Sequence, residues 1–393
     1  MNHSLQIAEI EEQAAAAPDS SVAPPQSVLI IRLGALGDVV HALPAAQALR
    51  AALPEARLGW VVDSSQAALV RRQPWIDEVI EWNRHYWSAL RDFFGRLRGT
   101  RWQVAIDFQG SLRSGLVAYF SGARRRIGFA PSLESAHFFY NEWLPLETLD
   151  CHPVERNLEL AARLGGAAPE PPLDRPYLRD EAPSQERRAA RLFPLNPTHD
   201  ELEAVEAWRQ TRDFSPGRDR LVVLNPYASR PANRWPVMHF IQLAQRLLKL
   251  PNVRVALSGG RSARETCDQI AEPFGERIWR ADGRFNPLGT AALFSQADVV
   301  VTGDTGPMHL AAAMGAPIVA LFGATSPLRS GPYSSSAVVL DRHLACSPCL
   351  AKQCPLMYDP PACLEQISVD RVLAAVVSRL SQSQADRLLR KSA

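Results

Sequence analysis

No uninterrupted apolar run in this chain is long enough to cross a membrane. The longest candidate, Leu310 to Ala324, is broken by Gly315 and Pro317 and falls short of the roughly 20 residues a spanning helix needs. Charge of one sign is also missing: 43 Lys and Arg stand against 41 Asp and Glu, a net +2. Without a basic surplus to neutralise phosphates, generic nucleic-acid binding is excluded. Six cysteines in 393 residues do not make a disulfide scaffold. The common phosphate fingerprints are missing too. The G-x-x-G of RLGALGD is neither the dinucleotide pattern nor followed by GK[ST], and no D-x-D pair stands ready for a metal–diphosphate. Residues 1–26 have no basic start and no apolar core, and they carry Glu9, Glu11 and Glu12. They read as a disordered lead-in rather than a signal peptide or anchor, which predicts a cytoplasmic protein.

What is present is alternation. From Ser27 short Val/Ile-rich runs (VLIIRL, RLGWVVD, VAIDFQG) trade places with amphipathic helical stretches, the pattern of a parallel sheet covered on both faces. This predicts a Rossmann-like domain over 27–175. A Pro- and charge-rich linker region follows over 176–220, with a helical piece at LEAVEAWRQ. The alternation resumes over 221–372 in a second Rossmann-like domain, and a helix over 373–393 closes the chain. The fold class is thus α/β, two doubly wound domains in tandem. Ligands in such sheets gather outside the carboxyl ends of the strands, so a cleft between two facing lobes is expected.

Three stretches carry chemistry. In RLGALGD, Gly34 and Gly37 let the backbone turn sharply off a strand, and Asp38 stands before a helix, where it either caps the helix or serves as a reactive carboxylate. In VVVTGDTGPMHL, Asp304, Thr305 and Gly306 open a helix whose amides and dipole suit an anion, with His309 one turn in. Capping, with His309 satisfied by a neighbour, is the alternative. In NPYASRPANRWP, Ser229, Arg230 and Arg234 bring donors to a loop that directly follows the strand LVVL.

In order along the chain, IRLGALGDVVHALPAAQALR, IDFQGSLRSGLVAYFSGARRRIGF, HPVERNLEL, NPYASRPANRWP, SGGRSARE and TGDTGPMHLAAAMGAPIVALFGATSP resemble glycosyltransferase family 9, the lipopolysaccharide heptosyltransferases. The resemblance covers roughly Val28 to Val372. It implies a GT-B type transferase in which the second lobe binds ADP-heptose and the first a lipid-linked oligosaccharide acceptor of the lipopolysaccharide inner core. Asp38 then matches the general base of an inverting transfer. Asp304, Thr305, Gly306 and His309 match the loop gripping the nucleotide sugar, and Glu265 matches the carboxylate holding its ribose. Where the family often writes Lys before Arg/His-Trp-Pro, this chain has Asn233, so Arg230 or Arg234 is expected to supply the missing charge. An efficient base must not be saturated by capping bonds, and Asp38 is expected to be free of that.

On the acceptor side, Gln109 sits in the loop after VAID, and Arg124, Arg125 and Arg126 offer charge for acceptor phosphates, acidic sugars and anionic lipid at the inner face of the cytoplasmic membrane. A solvated surface is the alternative reading. The aromatic groups Trp82/Tyr86/Trp87 and Phe138/Phe139/Tyr140 are expected mainly in the core, with packing of the acceptor groove as the alternative. Cys346, Cys349, Cys354 and Cys363, spaced C-x2-C-x4-C-x8-C, could close a structural zinc site or remain packed thiols. No cofactor is required by the chemistry. An epimerase of related fold, or a nucleotide-sugar binder without catalysis, are the competing functions.

Overall fold

Runs such as SVLII and RLVVLN have no polar side to turn outward, and they become strands buried on both faces (Ser27–Ile31 wholly, Arg220–Asn225 all but its first residue), as the interior of a parallel sheet requires. The computed structural model describes residues 23–83, 89–132, 134–145, 151–166, 175 and 193–391. The expected lead-in up to residue 22, residues 176–192 of the expected linker, and Tyr86 and Trp87 lie outside the described residues. The chain divides into two compact units, Met1–Pro172 and Leu173–Ala393.

The first unit runs β1 (Ser27–Ile31), α1 (Leu36–Ala52), β2 (Arg57–Asp63), α2 (Ala67–Arg71), β3 (Glu78–Trp82), α3 (Ala89–Gly99), β4 (Val104–Asp107), α4 (Leu112–Phe120), β5 (Arg125–Ala130), a 3-10 turn (Ala136–Phe139), β6 (Glu142–Pro145) and α5 (Pro153–Ala162). Its parallel sheet has the order β3-β2-β1-β4-β5-β6. β1 is flanked by β2 and β4, with Ile31 in register with Val61 and Asp107. The chain winds outward from β1 in one direction and from β4 in the other. The loops after these two strands therefore emerge side by side at the point where the winding reverses.

The second unit repeats the plan. It contains α6 (His199–Gln210), β7 (Arg220–Asn225), α7 (Val237–Leu247), β8 (Val253–Leu257), α8 (Arg264–Ala271), β9 (Ile278–Arg280), α9 (Pro287–Ser295), β10 (Val299–Gly303), α10 (Gly306–Ala313), β11 (Ile318–Leu321), α11 (Pro327–Ser330), β12 (Ala337–Leu340), α12 (Ala362–Glu365) and α13 (Val369–Lys391). The order β12-β11-β10-β7-β8-β9 is that of the first sheet counted from its own first strand, and Thr302 of β10 lies opposite Asn225 of β7. The helical piece read in LEAVEAWRQ is α6, started by Thr198, whose main-chain N–H bonds Glu201 at 2.7 Å in a capping box. α13 lays Val369, Val372, Val376 and Leu380 into the same core as Phe240, Leu243 and Leu247 of α7, the i, i+3, i+7, i+11 rhythm of one helix face. Among the described residues no helix is long and apolar enough to cross a membrane.

Candidate active site

At the reversal point of the first sheet, Asp38 is not the first residue of a helix but its third: Ala35 occupies the cap position and α1 begins at Leu36. The carboxylate reaches back, its Oδ2 accepting the Ala35 N–H at 3.1 Å. Its Oδ1 is paired with the Arg32 guanidinium at 2.7 Å. Each carboxylate oxygen thus holds one bond and keeps acceptor capacity, and the side chain is 44% exposed. Arg32 itself is buried and gives its other terminal nitrogen to the Phe108 carbonyl. Its Nε finds no partner among the described residues. One guanidinium therefore ties the loop after β1 to the loop after β4 and fixes the carboxylate between them. Gly34 is open, with nothing within 4 Å of where a Cβ would stand, and Gly37 is buried in the first turn of α1.

The β4 loop is held from beneath by Asp107. This carboxylate is fully buried. It accepts Gln109 N–H at 2.8 Å, Gly110 N–H at 3.2 Å and the Tyr140 hydroxyl at 2.6 Å. Burial raises its pKa above the ordinary value, and these donors partly oppose the rise. Burial and the neighbouring Asp107 charge push the Tyr140 phenol far up, so the tyrosine donates the hydrogen bond. Gly110, at φ +71°, takes the left-handed turn that a side chain would resist. Gln109 then passes the constraint on: its Oε1 accepts Leu33 N–H at 2.9 Å and its Nε2 bonds Ser111 Oγ at 2.9 Å. Of the arginine trio, Arg124 is exposed. Arg125 forks onto both Glu142 oxygens at 2.7 and 2.9 Å, and Arg126 bonds the Phe139 and Ala123 carbonyls at 2.7 and 3.0 Å. Tyr140 is buried, whereas Phe138 is 79% exposed, contrary to its expected core role.

In the second unit the loops after β7, β8, β10 and β11 gather the other expected residues at one sheet end. Thr305 stands at the cap of α10 without a side-chain cap bond. Its hydroxyl turns instead to Asn225 Nδ2 at 3.3 Å and Thr302 Oγ1 at 3.2 Å. Asp304 accepts Ser330 Oγ at 3.0 Å rather than capping the helix, and His309 is buried. Asn233, also buried, donates to the Asp304 carbonyl at 3.3 Å. A Cβ on Gly303 would come within 2.8 Å of the Asn233 carbonyl, so the β7 and β10 loops meet only because position 303 lacks a side chain. Arg234 stacks over Tyr227 at 4.6 Å and bonds the Ala228 carbonyl at 2.7 Å. Ser229, Arg230 and Glu265 are exposed. Sequence reasoning missed Ser258 at the end of β8 and Thr325 after β11. Their hydroxyls, like Asn233 Oδ1, are buried with no partner among the described residues. Such atoms cost free energy unless a ligand or water meets them. Nothing in a sequence marks a hydroxyl as unpaired, although Ser258 follows the apolar run of β8 directly.

The four clustered cysteines line one small hollow with Ala232, Ala324 and Ser347. All are free thiols. Burial, reinforced by the three neighbouring thiols, raises the Cys363 pKa. Among the described residues no group of three or more His, Cys, Asp or Glu is placed to hold a metal ion, so of the two readings of the cluster the structure gives no support to the zinc site. The segment is tied to the loops described above. Leu350 N–H bonds the Ala324 carbonyl at 2.7 Å, Ser347 Oγ bonds the Gly323 carbonyl, and Ala232 N–H bonds the Lys352 carbonyl at 3.2 Å.

The family model of glycosyltransferase family 9 (heptosyltransferase) matches residues 90–358. Lipopolysaccharide heptosyltransferase 1 of Pseudomonas aeruginosa is 27% identical over 379 residues, covering 90% of this chain and 98% of its own length. The solved ADP-heptose heptosyltransferase II of Escherichia coli superposes with a TM-score of 0.70 at 24% identity, over 91% of this chain and 99% of that one. An E. coli heptosyltransferase solved with ADP-2-deoxy-2-fluoro heptose gives 0.66 at 23%, over 90% and 99%. At these identities the solved structures establish the fold, the two-sheet α/β architecture of GT-B enzymes. The family model spans well over half of the sequence, and the chain accordingly belongs to glycosyltransferase family 9, the heptosyltransferases.

Proposed function

We propose that this enzyme transfers heptose from ADP-heptose to a lipid-linked acceptor of the lipopolysaccharide inner core, with inversion at the anomeric carbon and Asp38 as general base. The single observation that carries the reading is a carboxylate at the winding reversal of the first sheet, oriented by Arg32 yet 44% exposed and with acceptor capacity left on both oxygens. A sugar hydroxyl is a poor nucleophile until its proton begins to leave, and a carboxylate in hydrogen-bond reach takes that proton as the glycosidic bond forms. ADP departs from the opposite face of the ring, which inverts the configuration.

The second unit supplies the donor site in this reading. The uncapped start of α10 at Thr305 and Gly306 offers main-chain N–H groups to the diphosphate, and Ser229 and Arg230 add donors in place of the lysine that Asn233 replaces. Arg234 is engaged with Tyr227 and Ala228, so Arg230 is the better candidate for that charge. The Ser258 and Thr325 hydroxyls and Asn233 Oδ1, without a partner among the described residues, fit a ligand rich in polar atoms, such as a nucleotide sugar. Glu265, in the first turn of α8, suits the two ribose hydroxyls as a double acceptor. His309 completes the donor loop. On the acceptor side Arg124 is the one of the Arg124–Arg126 trio left to meet phosphate or acidic sugar. The enzyme would work at the inner face of the cytoplasmic membrane, where such an acceptor is anchored.

The test is turnover with ADP-heptose and a truncated core acceptor, alongside calorimetry with ADP-, UDP- and GDP-sugars. Asp38→Ala should lower turnover by about 10²- to 10⁴-fold while leaving ADP-heptose binding intact. Near-wild-type turnover would remove the base assignment. Release of an altered nucleotide sugar would show an epimerase, and binding without turnover a non-catalytic module.

A further inference from the structure

α4 buries one face and leaves an apolar one outside. Ser114, Val117, Ala118 and the C-cap Ser121 (i, i+3, i+4, i+7) turn inward and are buried. Leu112, Leu116, Tyr119 and Phe120 (i, i+4, i+7, i+8) form a second stripe on the other side. Leu112 is 47%, Tyr119 55% and Phe120 36% exposed. A helix on a protein surface normally gives that side to polar residues. The stripe is widened by its neighbours: Phe139 meets Tyr119 edge-on at 6.1 Å, Phe94 of α3 meets Phe120 at 5.5 Å, and the outstanding Phe138 follows on the 3-10 turn.

Its rim is mainly cationic. Arg98 bonds the Phe120 carbonyl at 3.0 Å, the Arg126 guanidinium lies over the Tyr119 ring at 5.9 Å, and Arg113 and Arg124 are exposed. The opposing charges are Glu134, which accepts Leu112 N–H at 3.0 Å, and Asp92 on α3. His137, beside Phe138, adds a polar edge.

We propose that this face, the outer side of α4 with Phe138, is a docking surface for a lipid bilayer carrying anionic headgroups. An aromatic and aliphatic patch inserted at headgroup depth and a ring of guanidinium groups facing lipid phosphates are two signals. Each is weak alone, and together they give stable but reversible adsorption. The charge ring decides against a second copy of the chain as the occupant, because a symmetric pairing would set the arginine rims against each other. The proposal deepens the reading of a lipid-linked acceptor and rests on it for its biological purpose. Its physics stands separately.

The full chain is sedimented with vesicles of phosphatidylcholine alone and of phosphatidylcholine mixed with phosphatidylglycerol. The wild type should partition onto the mixed vesicles, less so in high salt, and only weakly onto the neutral ones. The double variant Tyr119→Ser/Phe138→Ser and the double variant Arg98→Gln/Arg113→Gln should each lower partition by about tenfold or more. Both should keep the wild-type Tm and turnover of a delipidated, water-soluble acceptor. No binding of the wild type to mixed vesicles, or equal binding by both variants, overturns the proposal. So does a dimer in sedimentation velocity that Tyr119→Ser/Phe138→Ser converts to monomer. Vesicle binding without turnover of any acceptor would leave the docking surface in place and sink the transferase reading instead.

Discussion

If Arg32 fixes the reactive carboxylate, replacing it must cost rate more than binding. In Arg32→Gln the 2.7 Å contact to Asp38 Oδ1 loses its charge and its fork. A hydrogen bond between charged groups contributes about 1.5–3 kcal/mol. Water reaches Asp38, which is 44% exposed, and screening lowers the loss to about 1–2 kcal/mol. If that loss falls wholly on the transition state, kcat drops by about 5- to 30-fold. KM for ADP-heptose should barely move, since the proposed donor residues belong to the other unit. Tm should change little, because a buried guanidinium whose Nε has no partner among the described residues is an expensive group to keep. Arg32→Lys retains charge but cannot reach Asp38 and the Phe108 carbonyl at once, and should fall between. The assay is steady-state turnover across pH for the three proteins, with Asp38→Asn/Arg32→Gln as the double variant, which should be no slower than Asp38→Asn alone. Unchanged kcat in Arg32→Gln, or a loss confined to donor KM, or equal losses for Gln and Lys, would refute the positioning role.

Asp107 makes a prediction about pH. Its folded pKa lies above its unfolded one, so its contribution to stability is complete below the unfolded pKa and fades as pH rises through the folded value. Asp107→Asn removes that titration. The unfolding free energy of the variant relative to wild type, measured by urea denaturation, should therefore rise from acid towards neutral pH; a flat or falling difference would contradict the assignment of burial as the cause. Arg125→Gln should lower Tm through loss of the Glu142 fork with acceptor KM unchanged, whereas Arg124→Gln should raise acceptor KM with Tm unchanged. In Gly59→Ala the new Cβ would stand 2.2 Å from Trp102 Cη2, an overpacking that costs about 1–3 kcal/mol, read as a lower urea midpoint.

Much of this was legible in the sequence for a simple reason: a strand buried on both faces has no polar alternation to confuse it, so VLII and LVVL announce themselves. The doubly wound class followed from the repeated β–loop–α rhythm, whereas the strand order came only with the structure. Asp38, Asp304 and Glu265 were legible as residues but not as contacts. The Arg32 pairing joins positions six apart across a turn whose shape no periodicity encodes, and the offset of Asp38 from cap to third position depends on where α1 starts. Arg125 and Arg126 looked equivalent to Arg124, yet Glu142 and the Phe139 carbonyl, brought near by β5–β6 pairing, separate them. The exposed stripe of α4 was hidden because LRSGLVAYF reads as an ordinary amphipathic helix covering a sheet, and its sequence does not say which side meets the strands. Phe138 looked like core as one of an aromatic run.

The cysteine-bearing segment has a bearing on how such enzymes vary. It is lashed by the Lys352 carbonyl to the rim after β7, and by the Leu350 N–H and the Ser347 hydroxyl to the rim after β11. Two loops distant in sequence therefore share one mechanical anchor. A deletion or inserted tag anywhere between those knots would drag both at once, so change in this stretch has to be matched on two fronts, or not tolerated at all.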